Sequence, residues 1–407
     1  MRKTERFKQS IIARNKLFFK VWLAQFISLF GDVFYDVAIV WFLIETTGSA
    51  LIAGGIAIFS LIGTVVGSIV LGQKIDMWNT RDIMLRVNVL RAIILIGVVI
   101  AISTITFPLI AFYTLSLFMA FLNVCYRIAR RKSVAEVVAR EDLLNANGFD
   151  GISGSIVQIF SWALGGFIVL LFGVIFALGV NALTAGIAFF LTLSAKWRSV
   201  KDENNASSKL QVVEGLKRIR EKRSLSVLVS LETFHLFMMG FFWAALPLKI
   251  AEIGNAFFYG LQGAAFGVGF FITSTYLGHR KHFARIGLIY LVGLFVHWIG
   301  NFGAAWSTHI WLFILGVFVS GLGNSFWQTC RQTIFHASIP TSEVGRVFAV
   351  FESLTSIVLI PAWIFGGYLA DRFSPTFVMV MAGIFQFIII ALAAVQKSLR
   401  RQTISGV

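Results

Sequence analysis

The sequence predicts an all-α membrane protein with twelve transmembrane helices in two six-helix bundles, and three observations carry that prediction. Only 13% of the 407 residues are charged and 57% are hydrophobic, whereas a soluble domain carries about a quarter charged residues. Apolar stretches of about 20 residues recur along the chain, and about 20 residues at 1.5 Å each cross a hydrocarbon core of roughly 30 Å. One long polar segment, 196–223, leaves six such stretches on each side.

Taken in order, the spans of the first half are predicted near 18–44, 50–71, 83–105, 108–130, 148–172 and 174–194. The first is too long and too polar for a cleaved signal peptide, and no small-residue cleavage site follows it. Those of the second half are predicted near 224–248, 256–277, 286–306, 309–330, 346–368 and 376–395. The domains expected are therefore 1–195, a linker 196–223 and 224–407. In the linker, Leu210, Val213, Leu216 and Ile219 recur at helical spacing among Lys217, Arg218, Arg220 and Lys222. That pattern predicts a basic amphipathic helix on the inner membrane face.

A net charge of +16 would suit nucleic acid, but the basic residues follow membrane topology instead. With the amino terminus in the cytoplasm and helices alternating, Lys249 and Arg372 are the only bases placed at the outer face. The positive-inside rule then puts both termini in the cytoplasm of a multi-pass cell-membrane protein, its basic surplus toward anionic inner-leaflet lipid. No nucleic-acid partner is expected. Cys125 and Cys330 lie in apolar runs and build neither a disulfide framework nor a metal site, so no cofactor or metal is expected.

The halves repeat each other. Asn123 and Asn324, Arg130 and Arg331, Trp162 and Trp363, Gly165 and Gly366, and Gly166 and Gly367 share one separation of 201 positions. Two parallel six-helix repeats joined by a loop form the architecture of a secondary transporter, with its substrate site between the halves near the midplane.

Polar residues inside the spans mark candidate chemistry. Gln25, Ser28, Asp32 and Asp36 fall on one face of the first span. A carboxylate at mid-bilayer costs about 2.5–3.5 kcal/mol, so that face should line water or protein. Two carboxylates one turn apart repel when both are ionised, which favours a shared proton. Asp32 and Asp36 are thus proton-coupling candidates, against a packing role for Asp32 and an outer-water position for Asp36. Glu232 and His235, one turn apart on the seventh span, could form a proton relay or a static hydrogen-bonded pair. Gln25, Ser28, Gln158 and His297 are candidates for the substrate cavity, although a satisfied core histidine is the competing reading of His297. Arg127, Arg130, Arg131 and Lys132 end the fourth span and Arg331 the tenth, while Asp150 and Glu352 begin the fifth and eleventh. These either form inner-gate ion pairs or anchor to headgroups. Arg91 lies far inside the third span and needs a partner or a snorkelling path that the sequence does not name.

Enzyme chemistry finds no support: no P-loop is present, and none of the six histidines is followed five residues later by Asp, as in membrane acyltransferases. No catalytic residue is assigned.

Several segments carry a family resemblance. GQKIDMWNTRD, 72–82, resembles the loop motif of the major facilitator superfamily, Gly-x-Leu-Ala-Asp-Arg-x-Gly-Arg-Arg, matching at Gly72, Asp76 and Arg81 and departing at Lys74, Met77, Asn79 and Thr80. FKVWLAQFISLFGDVFYDVAIVWFLIETTGSALIAGG from Phe19, DLLNANGFDGISGSIVQIFSWALGG from Asp142 and IPTSEVGRVF from Ile339 are similar to the drug-exporter branch that includes macrolide efflux pumps. The resemblance implies an inner gate. There Asp76 would cap the start of the eleventh helix near Ser342–Gly345, beside Arg346. Such a carboxylate at a helix start contributes about 0.3–1 kcal/mol. Gly72 would permit close helix approach, and Arg81 would pair with an acidic neighbour. The equivalent second-half loop, GHRKHFAR from Gly278, has His282 where an Asp would stand. The Gly-Pro pair of many proton-driven exporters is replaced by Ser161-Trp162 ahead of Gly165-Gly166. The function implied is a proton-coupled exporter of amphiphilic small molecules or macrolide-like drugs, monomeric, with protons and membrane lipid as its other partners. The alternatives are a lysolipid or lipid transporter, which shares the stretch Ala146-Asn147-Gly148, and a uniporter without proton coupling.

Overall fold

The computed structural model describes residues 14–71, 78–104, 109–139, 142–197, 217, 219–221, 223–278, 285–339 and 344–396. Among these the chain is helical with no strand, and eleven elements are long and apolar enough to cross a membrane. They are α1 (Lys16–Thr47), α2 (Ala50–Leu71), α3 (Thr80–Thr104), α4 (Leu109–Val137), the element Leu143–Ser194, α7 (Arg223–Ile253), α8 (Ala256–Gly278), α9 (Ile286–Trp306), α10 (Ile310–Ser338), α11 (Val344–Arg372) and α12 (Pro375–Val395). The element Leu143–Ser194 is two helices, α5 (143–172) and α6 (174–194), broken at Gly173. Its φ of 79° lies in the left-handed region that glycine alone enters freely. The twelve helices match the predicted spans closely, because a bilayer-length apolar run has one way to satisfy its backbone, as a helix.

The helices group into two compact units, 1–42 with 56–205, and 43–55 with 206–407. In the first unit, α3 packs on α4 and on the 143–194 element. One core there gathers Val21, Met84, Val87, Leu122, Tyr126 and Ala129. At the end where α3 begins, Thr80 and the Trp197 indole both donate to the Glu136 carboxylate at 2.6 and 3.0 Å. Arg81 there departs from the expectation of an acidic partner. Its Nε and Nη2 donate to the carbonyls of Ala195 and Leu193 at 2.8 and 2.9 Å, closing the C-terminus of α6. The last carbonyls of a helix carry partial negative charge and lack intrahelical donors, so a guanidinium suits them.

In the second unit, α9 packs on α10 and α12, α7 on α11 and α12, and α8 on α10. The α9–α10 contact is backbone to backbone: a Cβ on Gly323 would fall on the amide nitrogen of His297, with the Gly293 carbonyl 2.7 Å away. Small residues permit this approach, which is how apolar helices associate without a hydrophobic drive between them. Residues 49–51 also belong to this unit, and Asp371 at the end of α11 accepts from Ser49 Oγ, Ala50 N and Leu51 N at 2.5, 2.6 and 3.2 Å. A carboxylate thus caps the first turn of α2, the kind of contact expected of Asp76 at the start of α11.

Gly72, Asp76, His282 and nearly all of the linker helix lie outside the described residues, and of Gly345 and Arg346 only the helical backbone is described. Of the linker's apolar stripe, Ile219 is described. It is buried in the core of the second unit with Leu225, Tyr290 and Phe335 rather than facing a membrane surface.

Candidate functional site

The first unit holds a cavity of about 560 Å³ whose polar wall comes from α1, α3, α4 and α5. From α1 it receives Gln25, Ser28 and Asp32, the face that helical spacing predicted. From α3 comes Arg91, and α4 supplies Asn123, Tyr126, Arg127, Arg130 and Arg131; Asp150 closes it from α5.

Arg91 finds its partners here. Its Nη1 donates to Ser28 Oγ at 2.9 Å, its Nη2 lies 3.5 Å from Asp32 Oδ2, and its guanidinium sits 5.2 Å from the centroid of the Tyr126 ring. The Arg91 side chain is 3% exposed and that of Asp32 21%, so the acid, not the base, opens to the cavity. Arg130 pairs with Asp150 in the same wall, the one expected gate pair between α4 and α5 that the described residues form. Both acids of the cavity are therefore engaged. Arg127 and Arg131 are exposed and have no ion-pair or hydrogen-bond partner among the described residues.

Other predicted residues stand apart. Asp36, one turn beyond Asp32, is exposed but not part of this cavity's wall. Gln158 on α5 is exposed and likewise outside it.

In the second unit the acid and histidine of α7 are not joined. Glu232 is completely buried; its Oε1 accepts from Tyr290 Oη and Trp327 Nε1, both at 2.6 Å, and its Oε2 from Arg331 Nη1 at 3.2 Å. Arg331 also lies over the rings of Trp327 and Phe351, 5.4 and 5.1 Å from their centroids. It thus pairs with α7 rather than with Glu352 of α11, which is exposed. His235 has neither ring nitrogen bonded and packs edge-on against Trp327 at 4.6 Å. The geometry holds no Glu232–His235 relay, nor the static pair that was its alternative. His297 is buried rather than on a cavity wall: its Nδ1 faces the Ser320 carbonyl at 3.0 Å and its Nε2 the Asn301 amide at 3.1 Å. With Asn301 donating to Nε2, a neutral ring carries its proton on Nδ1 and donates it to Ser320.

Sequence reasoning missed the Asp32–Arg91 pair, though one signal was there. Measured from the helix ends at Thr47 and Thr104, both residues lie roughly 20–22 Å deep. An unexplained arginine and an unexplained acid at one depth are natural partners.

The fold and sequence have known relatives. The chain is 21% identical over 373 residues to macrolide efflux protein A of Streptococcus pyogenes, covering 87% of this chain and 89% of that protein. It is 22% identical over 267 residues to the MFS-type transporter YfiS of Bacillus subtilis strain 168, covering 63% and 64% of the two chains. Among solved structures it is similar to the nucleoside transporter NupG, with a TM-score of 0.71 at 13% identity over 95% of this chain and 100% of that one. A bacterial homologue of the human lysosomal transporter Spinster, inward-facing and unoccupied, gives 0.72 at 12% identity over 96% and 98%. The match to the transmembrane secretion effector family runs from residue 12 to 404, and this chain, a multi-pass membrane protein of the major facilitator type, belongs to that family.

Proposed function

We propose that the chain is a secondary active transporter that exports amphiphilic small molecules across the cell membrane in exchange for protons. The observation that carries this reading is the Asp32–Arg91 pair on the wall of the first-unit cavity. At 3.5 Å and an effective dielectric of about 20, the pair attracts by roughly 4–5 kcal/mol before desolvation is subtracted. Protonating Asp32 removes that attraction and frees the Arg91 guanidinium, so proton binding and the charge presented to a substrate are linked through one contact. The distribution of basic residues supports both termini in the cytoplasm, and the macrolide efflux relative supports export.

The reading is tested in proteoliposomes carrying an imposed pH gradient. Uptake of a fluorescent amphiphilic dye and of a macrolide should follow the gradient and fall by at least about tenfold in Asp32→Asn, as expected when a charge-dependent step is lost. Movement indifferent to the gradient would sink proton coupling and favour a uniporter or a lysolipid carrier. The arginine-rich wall of the cavity is the observation that supports that second reading.

A further inference from the structure

Resting on the transport reading above, we propose that the first-unit cavity takes the anionic head of its amphiphilic substrate, a phosphate, sulfonate or carboxylate, on Arg127 and Arg131 of α4. Charge carries the proposal. Four arginines and two aspartates line the cavity, and both aspartates are already committed, Asp32 to Arg91 and Asp150 to Arg130. Among the described residues, two guanidiniums are left without a counter-charge. They stand at i and i+4 on one helix, so their side chains share a face and can converge on a single group. A guanidinium presents paired N–H donors that match an oxyanion, and charge-assisted bonds of this kind are the strong ones.

The rest of the polar wall, Gln25, Ser28, Asn123 and Tyr126, adds no further acid. The apolar part of the substrate also has a place. On α1, beyond the cavity wall, Phe19, Trp22, Phe26 and Phe30 form a ladder with ring centroids 5.2 to 5.9 Å apart. A head on the arginines and a tail along this ladder is the pose the two strips favour. A cationic amphiphile would instead meet uncompensated positive charge.

Binding is measured without any gradient on the purified full chain in maltoside detergent, by titrating tryptophan fluorescence with three probes. These are dodecyl phosphate, dodecyltrimethylammonium with the same tail and opposite charge, and inorganic phosphate. Dodecyl phosphate should bind at least about tenfold more tightly than the ammonium, and more weakly as salt is raised. Arg127→Gln/Arg131→Gln should abolish the preference, while Arg127→Lys/Arg131→Lys keeps part of it because the charge remains. Both positions are exposed and have no ion-pair or hydrogen-bond partner among the described residues, so the double variant should melt with the wild type. Competition by inorganic phosphate would make the ligand a soluble oxyanion, and binding only with the tail would make it a lipid-like amphiphile; either supports the site. Equal binding of the two dodecyl probes, or a preference that survives the double glutamine variant, overturns it. Because no gradient is used, failure here leaves proton-driven transport standing, and failure of the gradient assay leaves this result standing.

Discussion

Replacing Glu232 by Gln separates a structural ion pair from a proton relay. The carboxylate is fully buried and accepts three bonds, from Tyr290, Trp327 and Arg331. Gln keeps an oxygen for the Tyr290 and Trp327 donors but removes the charge opposite Arg331, whose side chain is 10% exposed. Removing one partner of a buried ion pair costs about 3–5 kcal/mol, because the other charge is left without compensation. With two of the three bonds retained, the low end of that range is expected, about 3 kcal/mol. For a unit of this size each kcal/mol moves the melting temperature by about 2–4 °C, so Glu232→Gln should melt about 6–12 °C lower in detergent. Arg331→Met should cost a similar amount, since it strands the acid. The double variant Glu232→Gln/Arg331→Met should cost less than the sum by about 2 kcal/mol or more, because neutralising both partners is often nearly free. A single variant that melts within about 1 °C of the wild type, or two losses that simply add, would refute this account. So would an unchanged melt combined with lost proton-driven transport, which would return Glu232 to the relay that was one of its two readings.

Two further perturbations follow from the helix contacts. Gly323→Ala places a methyl group on the His297 backbone, so α9 and α10 must separate; a loss beyond the 1–3 kcal/mol of ordinary overpacking is expected in thermal melts of the purified chain, and an unchanged melt would contradict the close approach. Asp371→Ala removes the acceptor of Ser49 Oγ, Ala50 N and Leu51 N, and should cost about 0.5–2 kcal/mol, seen as faster amide hydrogen exchange at the start of α2. Asp371→Asn should recover much of that, since Asn caps as well as Asp; equal exchange in all three proteins would exclude the cap.

The helices were legible in the sequence because the bilayer sets both their length and their polarity. The break between α5 and α6 was legible for the same reason, as two apolar runs too long together for one span, although only the structure places the positive φ on Gly173. The polar face of Gln25, Ser28 and Asp32 could also be read, since one helical period decides it. What pairs across helices could not be. Arg91 stood out as buried without a partner, and Arg331 as a base at a helix end. Their partners, Asp32 and Glu232, lie 59 and 99 positions away in the chain. A period fixes the face of a residue on its own helix, but not which face of a neighbour it meets. Likewise Arg81 belonged to a loop motif that promised an acidic partner, and its guanidinium instead bonds the carbonyl end of α6.

The sequence by itself determined that this chain carries twelve apolar runs of bilayer length and that charge enters the apolar phase at a few positions. These properties depend on residue type and spacing alone. Only the tertiary structure decided which of those charges neutralise one another and which are left over. Asp32 and Asp150 are taken by Arg91 and Arg130, and Arg127 and Arg131 keep their charge toward the cavity. The physical reason is distance. Coulomb attraction and hydrogen bonding act over a few ångströms, and only packing brings residues from α1, α3, α4 and α5 within that range.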